Sequence, residues 1–186
     1  MPLPRPTLLP VGALAAAAAL AACGGGVEPG GPDSGPTGQG ELLLGGADDT
    51  GNGFVPLEDG ADVPLIGGAQ GGFHVWIGLR VRGIEGELRI EREARRVSDG
   101  ELVLRTPVQE LVVPGEAMDG WWERPDAAAS FMCPSPIAIQ VYDEEIVFRA
   151  EITSEDGELL AVDDLVAVPR CPDGDQAEFC QSICGG

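Results

Sequence analysis

The sequence predicts an all-β protein, an antiparallel β-sandwich whose short C-terminal tail or helix is clipped on by disulfides. Three observations carry this expectation. Between residues 41 and 170 apolar residues recur with period two, the spacing of strands that bury one face. Turn signals, above all Asp-Gly pairs, separate these runs. Four cysteines, Cys133, Cys171, Cys180 and Cys184, lie towards the C-terminus, an even number that fits two bridges in an exported chain.

Taken in order, weaker strands are expected at Glu41–Leu44, Phe54–Leu57 and Val63–Ile66. Gly67-Gly68-Ala69-Gln70-Gly71-Gly72 follows. It has neither the lysine nor the following helix of a phosphate loop, and reads as turn glycines entering a strand. The clearest strand is Phe73–Arg82. Phe73, Val75, Ile77, Leu79 and Val81 point one way, and His74, Trp76, Gly78, Arg80 and Arg82 the other. Leu88–Arg92 and Leu102–Arg105 flank Ser98-Asp99-Gly100-Glu101, a hairpin signal. Val108–Val113 is a further weak strand. Ile137, Ile139 and Val141 form another alternating run. A second hairpin runs from Ile146 to Ile152, turns at Glu155-Asp156-Gly157 and returns from Leu159 to Val168.

At the end, Asp173 or Asp175 can cap a short helix that Gly185 closes. Ala177, Cys180 and Cys184 then share one helical face. Two cysteines on one face reach outward more readily than they bridge each other. Cys180 and Cys184 are therefore expected to pair with Cys133 and Cys171, in an order the sequence leaves open. Cys171-x8-Cys180-x3-Cys184 lacks the close knuckles of a structural zinc site. Short strands, polar turns and little helical period together resemble an immunoglobulin-like or fibronectin-like β-sandwich, a likeness of architecture that rests on no family motif.

The first 23 residues have a separate logic. One charge, Arg5, precedes an apolar run from Leu8 to Leu20, too short to span a bilayer and suited to a signal peptide. The run ends in Leu20-Ala21-Ala22-Cys23, which resembles the lipobox of bacterial lipoproteins. That resemblance implies cleavage before Cys23, acyl chains such as palmitate on Cys23, and a place in the cell envelope. Gly24, rather than Asp, follows the cysteine, a pattern that in lipoproteins of two-membrane bacteria goes with the outer membrane. Eight of the 17 residues from Gly24 to Gly40 are Gly and three are Pro, a composition that buries no core. As a flexible coil this tether spans roughly 23 Å. The expected organisation is a leader at 1–22, lipidated Cys23 and tether at 23–40, the sandwich at 41–170 and a Cys-rich tail at 171–186.

The formal net charge is −20 and all 11 basic residues are Arg; losing Arg5 with the leader makes it −21. An acidic surface without basic clusters argues against nucleic acid and against electrostatic docking on anionic lipid. Membrane contact is expected through Cys23 alone. With one His, no Lys, no Gly-x-Ser-x-Gly and no HExxH, catalysis has little support, and no cofactor is expected.

Two candidate recognition surfaces remain. One is the strand face of His74, Trp76, Arg80 and Arg82, suited to an anion or an aromatic-bearing partner. The other is the loop Trp121-Trp122-Glu123-Arg124, since exposed Trp and Arg are enriched at binding hot spots. Adjacent tryptophans in a strand point opposite ways, so one of the pair is expected in the core. Metal candidates are weaker. Copper would draw on His74, Met118, Met132 and Cys133, which have no motif spacing. Calcium would draw on Asp48-Asp49-Thr50-Gly51-Asn52, Asp163-Asp164 or Asp173-Gly174-Asp175, none of them an EF-hand. The sequence thus points to an envelope-anchored, non-catalytic binding or structural module, with metal binding as the alternative.

Overall fold

The structure, a computed structural model, describes residues 40–115, 120–134 and 139–185. The leader, Cys23, the tether up to Gln39, Met118 and Ile137 lie outside the described residues. In chain order the strands are β1 (Glu41–Gly45), β2 (Ala61–Pro64), β3 (Ile66–Gly67), β4 (Phe73–Arg82), β5 (Gly86–Arg96), β6 (Leu102–Arg105), β7 (Gln109–Val113), β8 (Trp122–Glu123), β9 (Ala128–Cys133), β10 (Ile146–Thr153) and β11 (Leu159–Arg170). One 3₁₀ turn, Gly174–Gln176, leads into the helix α1 (Ala177–Cys184).

These strands form a two-sheet sandwich. In the first sheet β4 is the centre, with β1 and β3 along one edge and β8 and β9 along the other. The second sheet runs β2-β11-β10-β5, and β6 and β7 share the outer edge of β5. Pairing is antiparallel except between β2 and β11, which run parallel, so the expected wholly antiparallel arrangement holds for all pairs but that one.

The alternation that predicts β4 also builds the core. Phe73, Val75, Ile77, Leu79 and Val81 are buried against the inner face of the second sheet, where Leu88, Ile90, Ile146, Phe148, Ala150 and Ile152 meet them. Full burial of such side chains contributes about 1.5–3 kcal/mol each. Both hairpins form where Asp-Gly signals place them, β5–β6 across Asp99-Gly100 and β10–β11 across Asp156-Gly157.

Several elements depart from expectation for physical reasons. Phe54–Leu57 is not a strand: Val55 makes a single bridge with Gly46, and the segment folds over the outer face of β4. Gly78 leaves room on that face: a Cβ there would lie 2.5 Å from the Gly46 carbonyl oxygen and 3.4 Å from the Phe54 ring. Val63–Ile66 is cut at the fully buried Leu65, so β2 joins one sheet and β3 the other. Ile139 and Val141 are buried, but residues 139–141 are irregular. Trp122–Glu123 lies in β8 where the sequence suggests a loop, and β9 has no counterpart in the sequence reading. Neither Asp173 nor Asp175 caps α1, because the 3₁₀ turn intervenes, and Gly185 stays right-handed at φ −87°.

The disulfide order is resolved. Cys133 at the end of β9 pairs with Cys184, and Cys171, just past β11, pairs with Cys180. Both helical cysteines are buried, and together the bridges fasten α1 to the two sheets.

Candidate recognition site

The outer face of β4 holds the four residues singled out from the sequence, but the fold divides them in two. At one end His74 is 7% exposed. Its ring meets Trp76 edge-on, with centroids 4.5 Å apart, and lies 5.6 Å from Phe131. Gly51, at φ +81°, passes so close over Trp76 that a Cβ there would come within 2.8 Å of the indole. Both ring nitrogens of His74 and the Nε1 of Trp76 are buried without a hydrogen-bond partner among the described residues. Burial lowers the His74 pKa below its usual 6.5 by disfavouring the charged ring. This end is a covered aromatic cluster, not an open ligand face.

The other end is open. Arg80 stands across from Glu123 on β8 and donates to its Oε2 through Nε at 3.1 Å and Nη2 at 2.9 Å, while its guanidinium lies 4.4 Å over the Phe54 ring. Arg82 is ion-paired to Glu41 on β1 and lies 4.6 Å over the Trp121 ring. The short strand β8 explains the placement. Its register sets Val81 opposite Trp122, so Trp122 turns inward and packs against the core. Trp121, one residue earlier, falls on the outer side with Arg82. The fold therefore brings Arg80, Arg82, Trp121 and Glu123 together and separates them from His74 and Trp76. Beside them a cleft of about 590 Å³ is lined by Val81, Arg82, Ile84, Val113 and Trp122, among others. Its size lies in the range of small-ligand sites.

Arg124 takes a different path. Its main-chain N–H donates to the Leu79 carbonyl at 3.1 Å, continuing the β8 pairing, and its Nη1 is buried without a partner among the described residues. The sequence reading missed the residue that Arg124 approaches. The inner positions of β5 run Leu88, Ile90, Arg92, Ala94, and Arg92 is 7% exposed. Its Nη1 reaches the Ser130 hydroxyl at 3.5 Å, and its Nε has no partner among the described residues. Burial, aided by the like charge of Arg124, pulls the Arg92 pKa down to about 10. The signal was present: the parity that turns Leu88 and Ile90 inward carries on to Arg92.

Among the described residues the candidate metal ligands do not converge. Met132 is buried on the inner face of β9, His74 lies on the outer face of β4, and the sulfur of Cys133 is bonded to Cys184. Asp48 spends its Oδ1 on the Thr50 N–H at 2.8 Å, the Thr50 hydroxyl at 2.6 Å and the Asn52 N–H at 2.9 Å, bonds that lower its pKa. Asp163 accepts from the Leu44 N–H, and Asp164 pairs with Arg149. Cys171, Cys180 and Cys184 do cluster, but as members of the two disulfides.

No family model matches the chain, and no curated protein matches it. Among solved structures it is similar to a glycosyl hydrolase family 2 member from Bacteroides cellulosilyticus DSM 14838, with a TM-score of 0.40 and 11% identity over 69% of this chain. The similar region spans 15% of that protein's length.

Proposed function

We propose that this chain is an envelope-anchored lipoprotein whose sandwich is a non-catalytic recognition module. The observation that supports recognition is the ledge on which Arg82 lies over Trp121, beside the cleft that Trp122 lines. A planar cation already stacked on an indole presents charge and apolar surface together and loses little side-chain freedom on binding. The Glu41 carboxylate on the other flank of Arg82 keeps the guanidinium oriented. Anchoring rests on the likeness of Leu20-Ala21-Ala22-Cys23 to a lipobox, and the glycine-rich segment after it would hold the sandwich clear of the headgroups.

Two comparisons in a bacterial host test this reading. Cys23→Ser should abolish incorporation of labelled palmitate and move the protein from the membrane to the soluble fraction. Trp121→Ala should reduce crosslinking to envelope components at least several-fold, while a reversal on the other sheet, Arg149→Glu, leaves it unchanged. Equal crosslinking by all three chains sinks the recognition site, and membrane retention of the Cys23→Ser chain sinks the anchor.

A further inference from the structure

We propose that Cys133, Cys171, Cys180 and Cys184, in their thiol form, hold one divalent ion of the zinc class where the two bridges meet. Three observations converge on this. First, the disulfides adjoin. The sulfurs of Cys180 and Cys184 belong to different bridges, yet lie 3.9 Å apart. Those of Cys171, Cys180 and Cys184 all lie within 4.8 Å of one another, and Cys133 is bonded to Cys184. Among the described residues this is the one place where three metal-ligating side chains meet. Zinc bound to four thiolates at about 2.3 Å sets neighbouring sulfurs about 3.8 Å apart. The Cys180–Cys184 edge of such a tetrahedron already has that length. Within each bridge the sulfurs need only move from bonding distance to that edge, by under about 2 Å, which side-chain rotation supplies.

Second, the ligands arrive on separate, well-held elements. Cys133 ends β9 in the first sheet, Cys171 follows β11 in the second, and Cys180 and Cys184 are one turn apart on α1. Residues i and i+4 on a helix share a face, the arrangement by which a helix presents two ligands to one ion. The sequence lacks the close knuckles of a zinc motif because two sheets and a helix, rather than a short loop, bring these ligands together.

Third, the surroundings suit a closed structural centre. Cys180 and Cys184 are fully buried and Cys133 is 4% exposed, all three within the hydrophobic core. A dry shell of this kind leaves an ion to its four protein ligands. Cys171 is partly exposed, which leaves an entry path on one side. The ion and the bridges are alternatives that fasten α1 to the same two sheets. Opening each bridge takes two electrons and two protons from a small dithiol, which leaves as its own disulfide. The ion then displaces the thiol protons to water.

The test uses the full chain with Cys23→Ser, so that no fifth thiol competes, purified in detergent and reduced with a phosphine. Cobalt(II) is the probe. The reduced chain should take up one cobalt with the intense visible bands of a tetrahedral thiolate centre, zinc should bleach them, and the oxidised chain should show none. Adding Cys171→Ser or Cys184→Ser should weaken uptake at least tenfold. Zinc should also restore slow exchange of the Val141 amide proton, whose hydrogen bond to the Cys184 carbonyl reports the docked helix. A reduced chain without the bands would overturn the proposal, as would bands that survive both serine changes. So would a zinc-bound chain whose Val141 amide stays in fast exchange, since the thiols would then be gathered by an undocked tail.

Discussion

The guanidinium of Arg82 lies 4.6 Å over the ring of Trp121 and is ion-paired on its other flank to Glu41. Arg80, on the same face of β4, is instead held by two bonds to Glu123 and lies over Phe54. The two arginines look equivalent in the sequence, yet one closes a clamp between β4 and β8 and the other forms a ledge at the mouth of a cleft.

Reversing the two charges should therefore have separable effects. Arg80→Glu sets two carboxylates opposite each other across β4 and β8 and should lower stability by about 1 kcal/mol, a modest figure because the pair is partly solvated. Arg82→Glu likewise sets two carboxylates opposite each other, against Glu41 on β1. That pair is the more exposed, at 45% and 57% against 34% and 37%, so the change should cost no more than about 0.5 kcal/mol, yet reduce envelope crosslinking as Trp121→Ala does. Urea midpoints and crosslinking yields measured on both chains decide this. Equal loss of folding and of crosslinking in both would mean that neither arginine has a separate role in recognition.

His74 should make stability fall in mild acid. Burial lowers its folded pKa below the 6.5 of the unfolded chain. Between those two values the unfolded state binds more protons, so stability drops as pH falls through 6.5 and levels off below the folded pKa. The slope for one proton is at most about 1.4 kcal/mol per pH unit. His74→Phe preserves the aromatic contacts with Trp76 and Phe131 and should flatten this part of the profile. A wild-type profile that is already flat there would show that the ring is protonated as easily inside as outside.

Much of this fold is written in alternation. Phe73 to Val81 and Ile146 to Ile152 each bury every second residue, and the hairpins β5–β6 and β10–β11 follow from Asp-Gly turns. Reading fails where tertiary contacts override local pattern. Ala128–Cys133 mixes small and polar residues, and becomes β9 because the edge of β4 offers unpaired backbone groups to it. Phe54–Leu57 looks like a strand but is needed as a cover over Gly78. The candidate site was half legible: residue type pointed to Arg82 and Trp121, but not to the loop that covers His74 and Trp76. Arg92 is legible by parity alone, against the general expectation that a charged residue faces outward.

Glu93 should be an acid-sensitive fastener of the second sheet. Hydrogen bonds from Arg95 and Arg105 hold its carboxyl well below the ordinary 4.5, at about 2. A depressed carboxylate adds stability that is fully present above pH 4.5 and is lost as pH falls towards 2. Glu93→Gln should cost roughly 1–2 kcal/mol at neutral pH, the range of charge-assisted hydrogen bonds, and the gap to wild type should close through that window. A gap that stays constant with pH would assign the loss to packing.

The two disulfides should differ in what they contribute, because they close loops of different length. Cys133–Cys184 spans a sequence separation of 51, and Cys171–Cys180 one of 9. Loop-closure entropy alone assigns them about 4 and about 2.5 kcal/mol. Their structural consequences also differ. Helix α1 has eight residues, too few to persist in water without tertiary support. Cys184 lies at its last turn, where its carbonyl accepts the Val141 N–H at 2.9 Å, and Phe179 packs on Phe73 at 6.0 Å. Replacing Cys133 and Cys184 with Ala should thus lower the urea midpoint more than replacing Cys171 and Cys180. It should also free the Val141 amide proton to exchange, since that N–H is tied to the end of the helix. If the short-loop pair proves the more costly, α1 depends chiefly on its fastening to β11.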